Sequence, residues 1–161
     1  MSLILASTSS TRARLLAAAG VAYASVNPGL DEGPLRAELQ RQGHTARSIA
    51  QQLAREKAFA LSHRLPGQVI VGADQILVQN GELFSKPCDL QDAARQLRAL
   101  RGQSHSLISA AALVRDGQVL AEPCAEARLR SGLTTVKNTG PGSSRIWLMT
   151  RSSWREDRTS A

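Results

Sequence analysis

Aromatic side chains are scarce in this chain. Phe, Trp and Tyr together make up 3% of its 161 residues, and both tryptophans, Trp147 and Trp154, lie in the last fifth of the sequence. A binder of single-stranded nucleic acid needs stacking faces, so the scarcity argues against a stable nucleic-acid partner. Cysteine is limited to Cys88 and Cys124, too few for a disulfide framework. His44, His63 and His105 are scattered without the spacing of zinc ligands. No apolar run approaches the roughly 20 residues that span a bilayer, and the N-terminus lacks the cationic start, apolar block and cleavage site of a secretory signal. Neither a Walker lysine motif nor a dinucleotide glycine fingerprint follows the first strand, and no nucleophile–base–orienter triad is suggested. These absences lead to the expectation of a reduced, cytoplasmic protein without a membrane partner.

Lysine is scarce too, but positive charge is not. The chain carries 20 Lys and Arg against 13 Asp and Glu, a formal net charge of +7. Only Lys57, Lys86 and Lys137 are lysines. A basic excess suits polyanionic ligands, phosphorylated ones included. With 42% apolar and 20% charged residues, the chain can afford a packed core.

Local patterns predict a chain that alternates strand and helix before turning to hairpins. Leu3-Ile4-Leu5-Ala6 reads as a buried strand, Ser7 to Ser10 as cap formers, and residues 12–19 as a helix stopped by Gly20. A second strand is expected over 21–26 and a loop over 28–44, carrying Asp31-Glu32. Thr45 can cap a helix over 46–62 whose Ile49, Leu53 and Leu61 share a face. Residues 69–78 read as a central strand with a polar break at Gly72-Ala73-Asp74-Gln75. Asn80-Gly81 signals a hairpin returning through 82–84. Asp89 can cap a helix over 90–101, and 105–115 and 118–128 read as two strands joined at Asp116-Gly117. The pattern indicates an α/β or mixed α+β sheet protein. After residue 130 the character changes, since eleven of the last 31 residues are Ser or Thr and no period is sustained.

Four groups of residues could carry chemistry. Ser7, Ser9 and Arg12 stand where a strand meets a helix N-terminus, whose unpaired N–H groups and partial positive charge favour an anion; the alternative is a plain helix cap beside a solvated arginine. Asp74 sits among β-branched residues and must be paired, ligate a metal or end a strand, while Gly72 lets another group approach the backbone. Lys57 and Lys86 are compact charges suited to phosphate, unless both are ordinary surface lysines. Asp31-Glu32 can supply oxygen ligands to Mg²⁺, unless the pair is merely solvated. Together these groups point to metal-assisted hydrolysis or transfer on a phosphorylated ligand.

The ordered motifs Leu3 to Arg12, Asp31-Glu32, Leu53 to Ala58, Gly72 to Gln75, Ser85-Lys86-Pro87 and Leu100 to His105 resemble the Maf family over residues 2–130. The resemblance implies a Maf/ITPase-like α/β fold, a mixed twisted sheet flanked by helices in two lobes with a central cleft. It implies hydrolysis of a nucleoside triphosphate to monophosphate and pyrophosphate. Asp74 matches the family's general base and, with Glu32, its metal ligands, the metal expected to be Mg²⁺ or Mn²⁺. Arg12, Lys57 and Lys86 match the cations that hold the triphosphate. Ser7 and Ser9 match hydroxyls near the phosphates, and Gln75 is a substrate contact. A homodimer is the expected assembly.

The sequence also departs from the family pattern. Ser10-Thr11-Arg12 stands where Pro-Arg-Arg is usual, removing one cation. Gln75 stands where many members carry Thr; it resembles the branch associated with 7-methyl-GTP and leaves the base preference open. The expected organisation is an incomplete Maf-like nucleotide pyrophosphatase domain over 1–130. A basic, Ser/Thr-rich tail over 131–161 follows, atypical of the family and expected to be frameshifted or disordered. Reading the other frames of the coding DNA past codon 130 tests the frameshift. The competing expectation for the whole chain is a catalytically impaired nucleotide-binding protein with a septum-related regulatory role.

Overall fold

Four apolar residues start the sheet. Leu3–Ala6 forms strand β1, whose Leu5 and Ala6 are fully buried. The computed structural model describes residues 3–132, so the tail expected over 131–161 lies, past Gly132, outside the described residues. Helix α1 (Ser10–Ala18) follows, capped by Ser9, whose side chain accepts from the Arg12 N–H. Strand β2 (Tyr23–Val26) returns parallel to β1.

The loop expected over 28–44 is instead largely a helix, α2 (Glu32–Arg41). Gly33 and Pro34 resemble breakers, but both fall in the first turn. There a proline lacks only an N–H that would have no helical partner. Asp31 caps this turn by accepting from the Gly33 N–H. Helix α3 (Ala46–Ser62) is capped by Thr45 as expected and buries Ile49, Leu53, Lys57 and Leu61 along one face.

Strand β3 (Val69–Gln79) runs without the polar break expected at 72–75. Pairing to its neighbour on one side is continuous through those residues, which holds the backbone extended whatever the side chains are. Asn80 and Gly81 take positive φ angles of 50° and 82° and turn the chain into β4 (Glu82–Phe84). Helix α4 (Leu90–Leu100), capped by Asp89, leads to the long strand β5 (Ser104–Arg115). The single strand expected over 118–128 is two, β6 (Gln118–Ala121) and β7 (Cys124–Arg130). Glu122-Pro123 separates them, and pairing to β5 slips at Leu113/Val114. Pro123 has no N–H to donate, and its carbonyl accepts from the Ala111 N–H at 2.9 Å.

The seven strands form one mixed sheet in the order β2-β1-β3-β5-β6, with β4 beside β3 and β7 beside β5. Two half-sheets share the long strands. One half joins β1 to the start of β3 (Leu3↔Val69 to Leu5↔Val71) and β6 to the end of β5. The other joins β4 to the end of β3 (Leu77↔Phe84 to Gln79↔Glu82) and β7 to the start of β5. Between them, residues 72–76 of β3 pair with β5 only. This is the mixed sheet flanked by helices that the sequence led us to expect, and its two halves are the two lobes.

Helix α3 lies across β3 and β5 and completes the core with Ile70, Ile76, Ala112 and Val114. Contact with β3 is closest at Gly72. A Cβ there would overlap the Ala54 carbonyl oxygen and stand 2.8 Å from the Ala58 nitrogen.

Candidate active site

The five residues of β3 that lack a partner on one side include Asp74, 5% exposed and otherwise deep in the sheet. The close seat of α3 on Gly72 brings Lys57 down onto it. Lys57 Nζ donates to Asp74 Oδ1 at 2.7 Å and to the Ala73 carbonyl at 3.3 Å, and pairs with Glu32 Oε2 at 2.8 Å. An ammonium has three protons, and three oxygens surround this one. Glu32 arrives from the first turn of α2, held there by the cap at Asp31.

Arg36, one turn further along α2, points into the same cluster. Its Nη2 lies 3.7 Å from Asp74 Oδ2 and 3.9 Å from Glu32 Oε2, and its Nη1 donates to Ser85 Oγ at 3.5 Å. Two polar atoms here are buried without a hydrogen-bond partner, Asp74 Oδ2 and Arg36 Nε.

The N-terminus of α1 brings Ser7, Ser9 and Arg12 together. Ser7 Oγ accepts from the Ser9 N–H at 3.1 Å and from Arg12 Nη1 at 3.2 Å. Both bonds use its lone pairs and leave its own proton to donate. Gln75 Nε2 donates to Ser109 Oγ across to β5 at 2.9 Å. Lys86 is exposed in the loop between β4 and α4.

A cleft of about 1230 Å³ gathers these groups. Ser9, Arg12, Glu32, Lys57, Asp74, Gln75 and Lys86 all line it, and Ser7 is tied to it through Arg12. Two lining residues that engage the site, Arg36 and Ser109, are not among those the sequence singles out. Arg36 lies on a helix where the sequence predicts a loop over 28–44, and its signal is the Glu32/Arg36 spacing of one helical turn. Ser109, in a run of small residues, carries no signal of its own.

Outside the cleft lining, Arg55 and Glu122 form a fork. It joins α3 to the break before β7 through Nε–Oε1 at 2.5 Å and Nη2–Oε2 at 2.7 Å. The hydrogen bonds hold the Glu122 carboxyl below, and the Arg55 guanidinium above, its ordinary range.

Among the described residues no cluster of three or more His, Cys, Asp or Glu could hold a metal. The two carboxylates of Glu32 and Asp74, with Asp74 Oδ2 unpartnered, do fit a hard cation that draws its other ligands from water and phosphate, the habit of Mg²⁺.

Fold and cleft define an α/β protein whose sheet opens, midway along its central strand, into a pocket of paired carboxylates and cations. The family model described as Maf-like protein matches residues 2–137, and the chain belongs to that family. It is 44% identical over 127 residues to a nucleoside triphosphate pyrophosphatase 1 of Jannaschia sp., covering 79% of this chain and 64% of the relative. It is 42% identical over 118 residues to a 7-methyl-GTP pyrophosphatase of Brucella abortus, covering 73% and 59%. The chain thus spans less than two thirds of the length of these curated relatives. Among solved structures, a nucleoside-triphosphatase (dITP/XTP pyrophosphatase) from Mycobacterium abscessus aligns with a TM-score of 0.47 at 21% identity, over 96% of this chain and 86% of that one. No helix among the described residues is long and apolar enough to cross a membrane.

Proposed function

We propose that the cleft binds a nucleoside triphosphate and hydrolyses it between the α and β phosphates, giving the monophosphate and pyrophosphate. The observation that carries this reading is convergence. Residues drawn from α1, α2, α3, β3 and the loop after β4 meet in one cleft, with cations and carboxylates side by side. A triphosphate is the ligand that needs both, since its catalysis rests on charge neutralisation and positioning.

Arg12, Lys57 and Lys86 oppose the charge of the triphosphate. Ser7 and Ser9 donate to its oxygens, and Gln75 contacts the nucleotide. Asp74 takes the proton of the attacking water as general base. Glu32 and Asp74 would hold Mg²⁺ or Mn²⁺, which would supply further charge neutralisation at the phosphates. The relatives' names support a nucleotide substrate, 7-methyl-GTP among the candidates. The cytoplasm, where nucleoside triphosphates are abundant, is the setting this reading implies.

Pyrophosphate release from a panel of nucleoside triphosphates, 7-methyl-GTP included, with Mg²⁺ or Mn²⁺ tests the proposal. Asp74→Asn is expected to lower kcat by about a hundredfold or more. Folded protein that releases no pyrophosphate from any of them overturns it. A second reading, nucleotide binding without turnover, is favoured by one observation: Lys57 already engages both carboxylates. It is distinguished by a nucleotide-dependent rise in melting temperature with no product.

A further inference from the structure

The cation at the centre of the cluster has no donor to spare. Lys57 meets Asp74, Glu32 and the Ala73 carbonyl, one oxygen for each ammonium proton, and it is 3% exposed. To bind a phosphate it would have to release one of them. Arg36 is in the opposite condition. Its contacts with Asp74 and Glu32, at 3.7 and 3.9 Å, are ion pairs beyond hydrogen-bond length. Its bond to Ser85 is long at 3.5 Å, and its Nε has no partner at all.

A buried, unpartnered N–H and a buried, unpartnered carboxylate oxygen in one small site are both costly. Each calls for a ligand of opposite kind. Asp74 Oδ2 needs a cation, and Arg36 Nε needs an anionic oxygen. They belong to neighbouring groups, since Arg36 and Asp74 both line the cleft and Arg36 Nη2 stands 3.7 Å from Asp74 Oδ2. Charge points the same way. Arg12, Arg36, Lys57 and Lys86 against Glu32 and Asp74 leave two positive charges in excess, the complement of a metal–triphosphate dianion.

We propose that Arg36 exchanges partners, neutralising Asp74 and Glu32 while the cleft is empty and turning its guanidinium to the triphosphate once a divalent cation takes the carboxylates. The inference rests on the proposed metal–triphosphate reading of the cleft and adds a residue to it. Lys57 stays on the carboxylates, orients them and opposes the triphosphate's charge from there; Arg36 is the cation of this pair that contacts the phosphates. The move is short, because α2 already stands over the cleft and a planar guanidinium can pass from two carboxylates to two phosphate oxygens.

The test uses Arg36→Gln and Arg36→Lys in the full chain, with two binding measurements that need no turnover. The first is calorimetric titration with Mn²⁺ alone. Removing the competing cation is expected to tighten Mn²⁺ about threefold or more in Arg36→Gln. The second is titration with inorganic tripolyphosphate in saturating Mn²⁺. It is expected to weaken about tenfold in Arg36→Gln and less in Arg36→Lys, which keeps the charge but loses the fork. Both variants are expected to melt with wild-type cooperativity.

Mn²⁺ affinity that is unchanged or weaker in Arg36→Gln overturns the proposal. So does tripolyphosphate affinity unchanged beside tighter Mn²⁺, because Arg36 is then a counter-ion only. A wild-type protein that binds tripolyphosphate but hydrolyses no nucleotide counts against the proposed activity and leaves the Arg36 measurements decisive in their own right. With an active enzyme, Arg36→Gln raises KM for the triphosphate more than it lowers kcat.

Discussion

The two oxygens of Asp74 have different surroundings, and the difference originates two residues away. Oδ1 accepts from Lys57, while Oδ2 is buried with no hydrogen bond. Lys57 reaches Oδ1 because α3 lies directly on the backbone of β3, and it can lie there because residue 72 has no side chain. Gly72 is needed for closeness rather than for an unusual backbone angle. A methyl group at this position meets backbone atoms of Ala54 and Ala58, which cannot swing aside as a flexible side chain would. Gly72→Ala is therefore expected to cost about 3 kcal/mol, or to prevent folding. Urea unfolding measures it, and an unchanged midpoint would show that α3 is not seated there.

At the scale of elements, α3 is fastened at a second point. The Arg55–Glu122 fork joins it to the break between β6 and β7, just before Pro123 and Cys124 line the cleft. The Glu122 carboxyl is lowered from its ordinary value of 4.5, chiefly by the hydrogen bond from Arg55. The sign follows: the fork's contribution is complete above pH 4.5 and is lost as pH falls through the lower folded value. Both partners are partly exposed, so the pair is worth about 0.5–1 kcal/mol after solvent screening. A double-mutant cycle of Arg55→Met and Glu122→Gln at neutral pH is expected to return that coupling, and the coupling should shrink as the pH is lowered below 4.5. A coupling that does not change with pH would contradict the assignment.

The elements differed in how clearly the sequence announced them. Helix α3 was legible because a cap, an apolar stripe and a clear stop agree. Helix α2 was not, because Gly33 and Pro34 read as breakers unless Asp31 is first recognised as the cap that puts them in the first turn. Arg36 went unread for the same reason. The split of β6 from β7 follows from Pro123 and a slip in register that only the partner strand reveals. Ser9, Arg12, Glu32, Lys57, Asp74, Gln75 and Lys86 could be singled out one by one, while Arg36 and Ser109 could not. Their convergence was implied by the family resemblance and not by local pattern, because it depends on how closely α3 approaches Gly72 and on where β1 ends and β4 begins.

Taken together, the described residues are organised around β3 and β5, which run through both half-sheets and flank the cleft. A cleft between lobes suggests two bodies that could melt separately. Here neither half retains its sheet without the shared strands, so losing one half removes the pairing that holds the other. Residues 3–132 are therefore expected to unfold as a single cooperative unit despite the opening midway along the central strand. The calorimetric and van't Hoff enthalpies of thermal unfolding are expected to agree, with far-UV circular dichroism following the same transition. Two resolved transitions within this region would contradict it. A groove that in other proteins marks a boundary between independently folding units is, in this one, a gap in the pairing along one side of a continuous strand.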